Sequence, residues 1–325
     1  YYFQASLRRD GSSKFSPDNR FAVFPSFSGG WIISNESFYN LNWMNFLKVK
    51  ASWGTTGNAA IPGFGYLNTF SKSFGAFASA YISPMTKMGS SSIRWELSNT
   101  TDVGLDFGFL KNRISGSIGY YSKLTTDMLL DIPLVLSAGT SSPSSSLANI
   151  GKLSNHGIEF SLTTVNIDYK KFSWRTDFNI STNQNRVEQL YPGFKGSSPS
   201  QLSSNNNTAV IEGEAIGTFY LPQFAGYDDK GYSTVYQIDQ TKTSQYIYER
   251  TGTVVRATDN AVSTNRVLMR GKTGLPTFYG GLSNTFSYGN FSLSVLLTYQ
   301  GGNYILDAAP GRSVSLGTDW MRKDM

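Results

Sequence analysis

The chain has 325 residues and 35.8 kDa, with 28 basic against 22 acidic side chains and a pI near 9.2. Charged residues are only 15%, well under the roughly 25% of a soluble globular chain, while aromatics reach 14% and glycines number 32. So many residues that favour burial exclude disorder, the lack of any apolar run near 18 residues excludes a spanning helix, and the absence of cysteine excludes disulfide and thiolate chemistry.

Alternation of apolar and polar residues predicts strands from the start of the chain. Phe3–Leu7, Phe27–Ile33 and Leu47–Trp53 alternate in this way. Next, Val103, Leu105, Phe107 and Phe109 face one side, with Asp102, Gly104, Asp106 and Gly108 on the other. After 110–113 the chain returns with Ile114, Gly116, Ile118 and Tyr120 opposite Ser115, Ser117, Gly119 and Tyr121. Ile158, Phe160 and Leu162 follow, and then Phe172, Trp174, Phe178 and Ile180. A last pair carries Leu282, Phe286 and Tyr288, then Phe291, Leu293, Val295, Leu297 and Tyr299. Gly289-Asn290 between them predicts a two-residue hairpin loop. Helical periodicity is not found.

Connection lengths alternate too. Short turns are predicted at 110–113, 167–171 and 289–290, and long Ser/Thr/Asn/Gly-rich connections at about 55–100, 124–156, 183–216 and 240–276. Loops of this length are uncommon in a compact domain. In an up-and-down meander they would all emerge at one end, as in an outer-membrane barrel. The polar faces are rich in Gly, Ser and Asn, with scattered charges at Lys48, Lys50, Asp102, Asp106, Glu159, Arg175 and Asp177. Such residues suit a crowded lumen. Aromatics at predicted strand ends (Trp31, Trp53, Tyr120, Trp174, Tyr288, Tyr299) suit a lipid–water boundary. A large soluble β-sandwich, with these aromatics as core, is the competing reading of the same residues.

Several blocks resemble the SusC-like TonB-dependent transporters (the RagA/SusC family) of the Bacteroidetes outer membrane. They include Ala5–Phe15 with Asn19-Arg20-Phe21, Gly30–Ser34, Phe46–Asn58, Val103–Gly108, Thr126–Leu130, Asn149–Glu159, Gly217–Tyr220 and Gly280–Asn284. Their order and spacing carry the match, which spans most of the chain. The resemblance implies an all-β fold, a transmembrane antiparallel β-barrel present only in part. Residues 1–325 would be its central-to-C-terminal portion. The whole protein would have about 22 strands, with an N-terminal plug upstream and the last strands downstream. It further implies a multi-pass protein of the cell outer membrane that imports a large nutrient, an oligosaccharide or oligopeptide. Implied partners are a SusD-like surface lipoprotein, the TonB complex acting through the plug region, and lipid with lipopolysaccharide. A passive porin, or the barrel of a surface or secretion complex, remains the alternative.

The residues argue against an enzyme. His156 is the only histidine, and no motif supplies partners for a metal or a Ser–His–Asp relay. It is expected at a strand start on the barrel rim. Asp228-Asp229 precedes Lys230-Gly231 and reads as a turn. No phosphate-cradling G-x-x-x-x-G-K-[ST] element occurs. Relatives often carry a calcium-like loop before the late strand pair, but Thr251–Asn260 has one carboxylate here, too few for six to eight oxygen ligands. No catalytic residue, metal ligand or cofactor is therefore expected, and ligand-binding residues are not assignable. Arg8, Arg9, Lys14 and Arg20 form a basic cluster that could meet lipopolysaccharide phosphates, a partner lipoprotein or only solvent. The positive charges are otherwise scattered, so no nucleic-acid partner is expected. Ser137–Ser146 and Asn205–Asn207 read as loop tips, and Phe70, Phe74, Phe77 and Tyr81 as loop aromatics that could stack on sugars or pack together.

Overall fold

A computed structural model describes residues 1–306, apart from 62, 64, 75–79, 135–144, 191–206 and 240–249. In chain order the strands are β1 (Tyr2–Gly11), β2 (Phe21–Ile32), β3 (Met44–Asn58), β4 (Thr69–Phe74), β5 (Ala80–Lys87), β6 (Glu96–Phe109), β7 (Ile114–Pro133), β8 (Ser145–Tyr169) and β9 (Phe172–Thr182). They continue as β10 (Gln184–Gln189), β11 (Thr208–Ala209), β12 (Thr218–Pro222), β13 (Phe224–Tyr227), β14 (Ser233–Ile238), β15 (Arg250–Arg256), β16 (Arg266–Thr273), β17 (Phe278–Tyr288) and β18 (Phe291–Gly301). One short helix, α1 (Asp259–Thr264), is capped by Thr258, whose hydroxyl accepts from the Ala261 amide.

The large sheet runs β1-β2-β3-β6-β7-β8-β9-β17-β18, antiparallel throughout, with β10 extending β9 along β8. It is an open meander whose two outer strands, β1 and β18, have one neighbour each. Register places all the apolar alternates on one face. Across one row Val49, Leu105, Ile118, Phe160 and Ile180 are successive partners. In another, Trp174, Phe286 and Leu293 follow one another, with Trp174 and Phe286 stacked at 5.6 Å. Among the described residues nothing covers this face: Ile118 is 45% and Leu293 61% exposed. On β18 the apolar band from Phe291 to Tyr299 measures roughly 20 Å once tilted by ~40°, close to the ~25 Å hydrocarbon band of a membrane barrel. The soluble-sandwich reading needs a dry interior here, and the described residues form none.

Polar groups within the apolar band satisfy one another. Thr164 donates to Asn166 (2.9 Å), Asn166 to Thr176 (2.7 Å), and both Thr176 (2.7 Å) and the Trp174 indole (3.0 Å) to Asn284. In hydrocarbon an unpaired polar group costs several kcal/mol, so a closed relay of this kind is what the setting demands.

Glycine and aromatic richness have one shared cause. Phe107 lies over Gly116, Tyr121 over Gly157 and Tyr299 over Gly280, each ring occupying the place of a cross-strand Cβ. The Tyr299 hydroxyl continues to the Asn179 carbonyl at 2.8 Å. Aromatic cover of strand glycines pins register while letting backbones approach closely.

One end of the sheet holds the turns at 110–113, 170–171 and 289–290 and the 33–43 connection. At the other lie 12–20 and the ends of β3, β7 and β9, from which the long connections leave. At 110–112 three residues have φ of +51°, +58° and +62°, a cost of about 1–2 kcal/mol each for non-glycine residues. Neighbouring β3 offsets this: Asn45 and Asn112 exchange two hydrogen bonds (2.6 and 3.2 Å), and the Leu110 amide donates to Trp43.

Four expectations need correction. The predicted loop at 124–156 is largely strand, because β7 runs on to Pro133 and β8 begins at Ser145. The extended hairpin is held by Leu130, Ile132 and Leu153, which pack on Val187 and Leu190. The predicted loop 55–100 contains the β4–β5 pair, and the predicted loops 183–216 and 240–276 contain β10, β11, β15 and β16, with small sheets β11-β12-β16 and β13-β14-β15 in one long connection. His156 lies inside β8, not at a strand start. Of the aromatics expected at strand ends, Trp31, Trp174, Tyr288 and Tyr299 lie within two residues of one, whereas Trp53 and Tyr120 lie inside β3 and β7, and above Tyr120 the same face of β7 continues with Ser122.

The buried apolar cluster Phe15, Phe24, Ile61, Ile93, Trp95 and Leu147 sits at the long-loop end. Trp95 packs on both Phe15 (5.5 Å) and Phe24 (5.6 Å), and its indole donates to the Arg20 carbonyl. It seals connections onto the rim rather than filling a centre.

Candidate functional site

The polar face is built by strict alternation. Lys48, Lys50 and Ser52 on β3 lie beside Asp102 and Asp106 on β6, with Ser117 and Tyr121 on β7 and Glu159 and Ser161 on β8 beyond them. All of these except Asp106 and Ser161 line an open concavity of about 570 Å³, bounded also by Tyr2 and Gln4. Lys50 pairs with Asp106 at 2.7 Å, and Ser52 donates to Asp102 at 3.3 Å. Ser117 and Ser161 share a hydrogen bond of 2.8 Å. Lys48 sits 5.7 Å from the Tyr2 ring. Further along, Arg175 pairs with Asp177 (2.9 Å), which also accepts from Thr163 (2.6 Å). Half-exposed pairs of this kind contribute about 0–1 kcal/mol, so they exchange readily for a polar visitor. Among the described residues the surface offers many weak donors and acceptors rather than one deep pocket.

The sequence places Tyr121 on the polar face without assigning it a role. Its hydroxyl donates to the Thr182 carbonyl (3.2 Å) and to Asn183 (2.9 Å), fixing the point where β9 ends and the long connection begins. Alternation places it on the polar face, but nothing in the local sequence announces its partner sixty residues on.

At the long-loop end, Asp228 behaves as its sequence implies. It accepts from the amides of Lys230 (3.0 Å) and Tyr232 (2.9 Å), Gly231 takes φ of +80°, and Arg256 pairs with it at 2.8 Å. The Tyr232 amide, then Arg256, hold its carboxyl below the usual carboxylate range. A depressed carboxylate stabilises above its unfolded pKa and loses that contribution as pH falls through the folded one. Amide protection at Lys230 and Tyr232 is therefore expected to stay constant from pH 7 to pH 5 and to fall only below the ordinary Asp range. Asp228→Asn should weaken it from pH 7 to pH 5 and lose its effect at low pH, where the wild-type carboxyl is protonated, as read by hydrogen exchange.

The four basic residues do not converge. Arg8 pairs with Asp10 (2.8 Å), Arg9 covers the Phe21 ring on the apolar side (4.5 Å), and Lys14 donates to the Ala59 carbonyl (3.2 Å). Alternation sends Arg8 and Arg9 to opposite faces. His156 contacts Gln184 at 3.0 Å. Among the described residues, no three His, Cys, Asp or Glu side chains gather as metal ligands would. At Thr251–Asn260 the chain forms most of β15 and the start of α1. Phe70 is exposed on β4, and Phe74 and Tyr81 lie on β4 and β5. Phe77, most of Ser137–Ser146 and Asn205–Asn206 lie outside the described residues.

A family model described as TonB dependent receptor-like, beta-barrel matches residues 1–324. This chain belongs to that family. TonB-dependent receptor P3 of Formosa agariphila is 34% identical over 320 residues, covering 94% of this chain and 31% of the relative. TonB-dependent receptor SusC of Bacteroides thetaiotaomicron is 35% identical over 245 residues, covering 71% and 24%. Among solved structures, the RagAB peptide importer in its closed-closed state is similar with a TM-score of 0.77 and 25% identity, over 93% of this chain and 32% of that one. The chain thus spans about a third or less of the length of these relatives. TonB-dependent receptor barrels are outer-membrane proteins, and theirs is a receptor and transporter family rather than an enzyme family. The uncovered apolar face is accordingly the lipid side, and the polar face the lumen side.

Proposed function

We propose that this sheet is the central-to-late wall of an outer-membrane importer for a large nutrient, an oligosaccharide or oligopeptide. The observation that carries the reading is the polar face itself: a broad, hydrogen-bonding, charge-mixed surface on a sheet whose other side suits lipid. Closing the barrel takes further strands, about 22 in all. A plug in the rest of the protein would couple it to TonB. A SusD-like lipoprotein would cap the long-loop end, where Phe224, Tyr227 and Tyr232 are exposed around β13-β14-β15. Membership of the family and the likeness to a peptide importer support import; the peptide cargo belongs to that neighbour.

The wall acts by differential solvation. A passing solute exchanges its water for Ser, Asn, Lys and Asp groups already paired with one another. No single contact is strong enough to trap it.

Replacing Asp106, Glu159 and Arg175 together by Ala in the full-length receptor is expected to lower uptake several-fold while leaving surface abundance unchanged. Parallel uptake of labelled oligopeptides and oligosaccharides, with the partner lipoprotein gene deleted as a second arm, checks both cargo and partner. Unchanged uptake in the triple variant would remove the lumen wall from the path.

A further inference from the structure

At the short-turn end, the segments 110–113 and 167–171 carry Lys111, Arg113, Lys170 and Lys171 against the single carboxylate of Asp168. The turns are neighbours, since β7 and β8 pair along their whole membrane portion. Two strand spacings separate them, roughly 10 Å. Arg113 bridges the gap: its guanidinium donates to the carbonyls of Val165 (3.2 Å) and Asn166 (2.9 Å), and its own carbonyl accepts from the Val165 amide. The guanidinium is thereby spent on backbone. Lys111, Lys170 and Lys171 are exposed, and no carboxylate pairs with them among the described residues. Lys170 folds over the Tyr169 ring at 5.1 Å.

Immediately towards the apolar band lie the exposed rings of Tyr169, Tyr288 and Phe291, the last 81% exposed. Three ammonium groups above a ledge of rings match an amphiphile with an anionic head and acyl tails: the head meets charge while the chains lie along the rings. A soluble acidic partner would account for the lysines but leave the rings without a role.

We propose that this rim is a binding site for anionic phospholipid, engaged through the headgroup phosphate by Lys111, Lys170 and Lys171. The inference rests on the membrane reading of the sheet. In a barrel whose long loops face outward, it places the site at the inner leaflet.

The test uses the full-length receptor in nanodiscs of phosphatidylcholine containing a minor fraction of phosphatidylglycerol. Lipid retained by the protein is read by native mass spectrometry. Phosphatidylglycerol is expected to be enriched about tenfold over its bulk fraction, falling towards bulk at high salt. In the variant Lys111→Gln, Lys170→Gln, Lys171→Gln it should fall towards bulk at all salt concentrations. Equal enrichment in wild type and variant, or none in wild type, would overturn the site. Insertion and heat-modifiable mobility of both proteins report separately on the membrane reading. A receptor that inserts normally but shows no lipid preference defeats only this proposal.

Discussion

Ile118→Arg in the full-length receptor is expected to destabilise the barrel by about 2–4 kcal/mol, the cost of a guanidinium near the bilayer midplane. Ile118 stands between Leu105 and Phe160 in the middle of the apolar band, 45% exposed. If that exposure were to water, arginine there would change stability by no more than about 0.5 kcal/mol. The two settings therefore differ several-fold in predicted effect at one position. Ser117→Arg, one residue earlier on the lumen face, provides the internal reference and should be close to neutral. Urea unfolding from lipid vesicles, followed by tryptophan emission, measures both. A neutral Ile118→Arg would remove lipid from the apolar side.

Gly157→Ala is expected to be the most damaging single methyl in the sheet. A Cβ there would collide with the Thr182 carbonyl oxygen and sit 2.9 Å from both its carbon and the Tyr121 ring. Backbone cannot swing aside as a side-chain tip can, so the strands must part or the ring must leave. Overpacking costs about 1–3 kcal/mol, and displacing Tyr121 also breaks its hydroxyl contacts to Thr182 and Asn183. Gly119→Ala offers the contrast, since its nearest neighbour would be the Val103 carbonyl at 3.7 Å. The expected result is loss of most folded, heat-modifiable protein for Gly157→Ala and near-normal yield for Gly119→Ala. Faster hydrogen exchange around Asn183 should accompany the first and not the second.

Legibility of the fold follows the reach of the interactions. The hairpins 103–120 and 282–299 were readable because period-two alternation and a short turn are local properties, and the structure keeps them in register without a slip. The upper arms of β7 and β8 were not. Their Ser, Thr and Asn residues read as loop, and what holds them is Val187 and Leu190, some sixty residues further along than Leu130. The strands within 183–277 are short and paired across long separations, as with Tyr220 and Leu268. On the polar face, each side chain's direction was predictable from parity, whereas the Lys50–Asp106 and Tyr121–Asn183 partnerships required the register of non-adjacent segments. The scattering of Arg8, Arg9, Lys14 and Arg20 shows the same limit: nearness along the chain did not survive alternation.

The connection between β9 and β17 begins and ends at nearly one point. Thr182 is paired with Phe278, and the Asn183 amide donates to the Thr277 carbonyl at 3.1 Å. Beyond β10, which pairs with β8 and whose Val187 anchors the β7–β8 arms, the connection is thus an excursion whose exchange leaves the pairing of β9 with β17 in place. Such a cassette can be rewritten wholesale, by evolution or by design, to suit a different cargo, while the membrane wall beneath keeps its geometry.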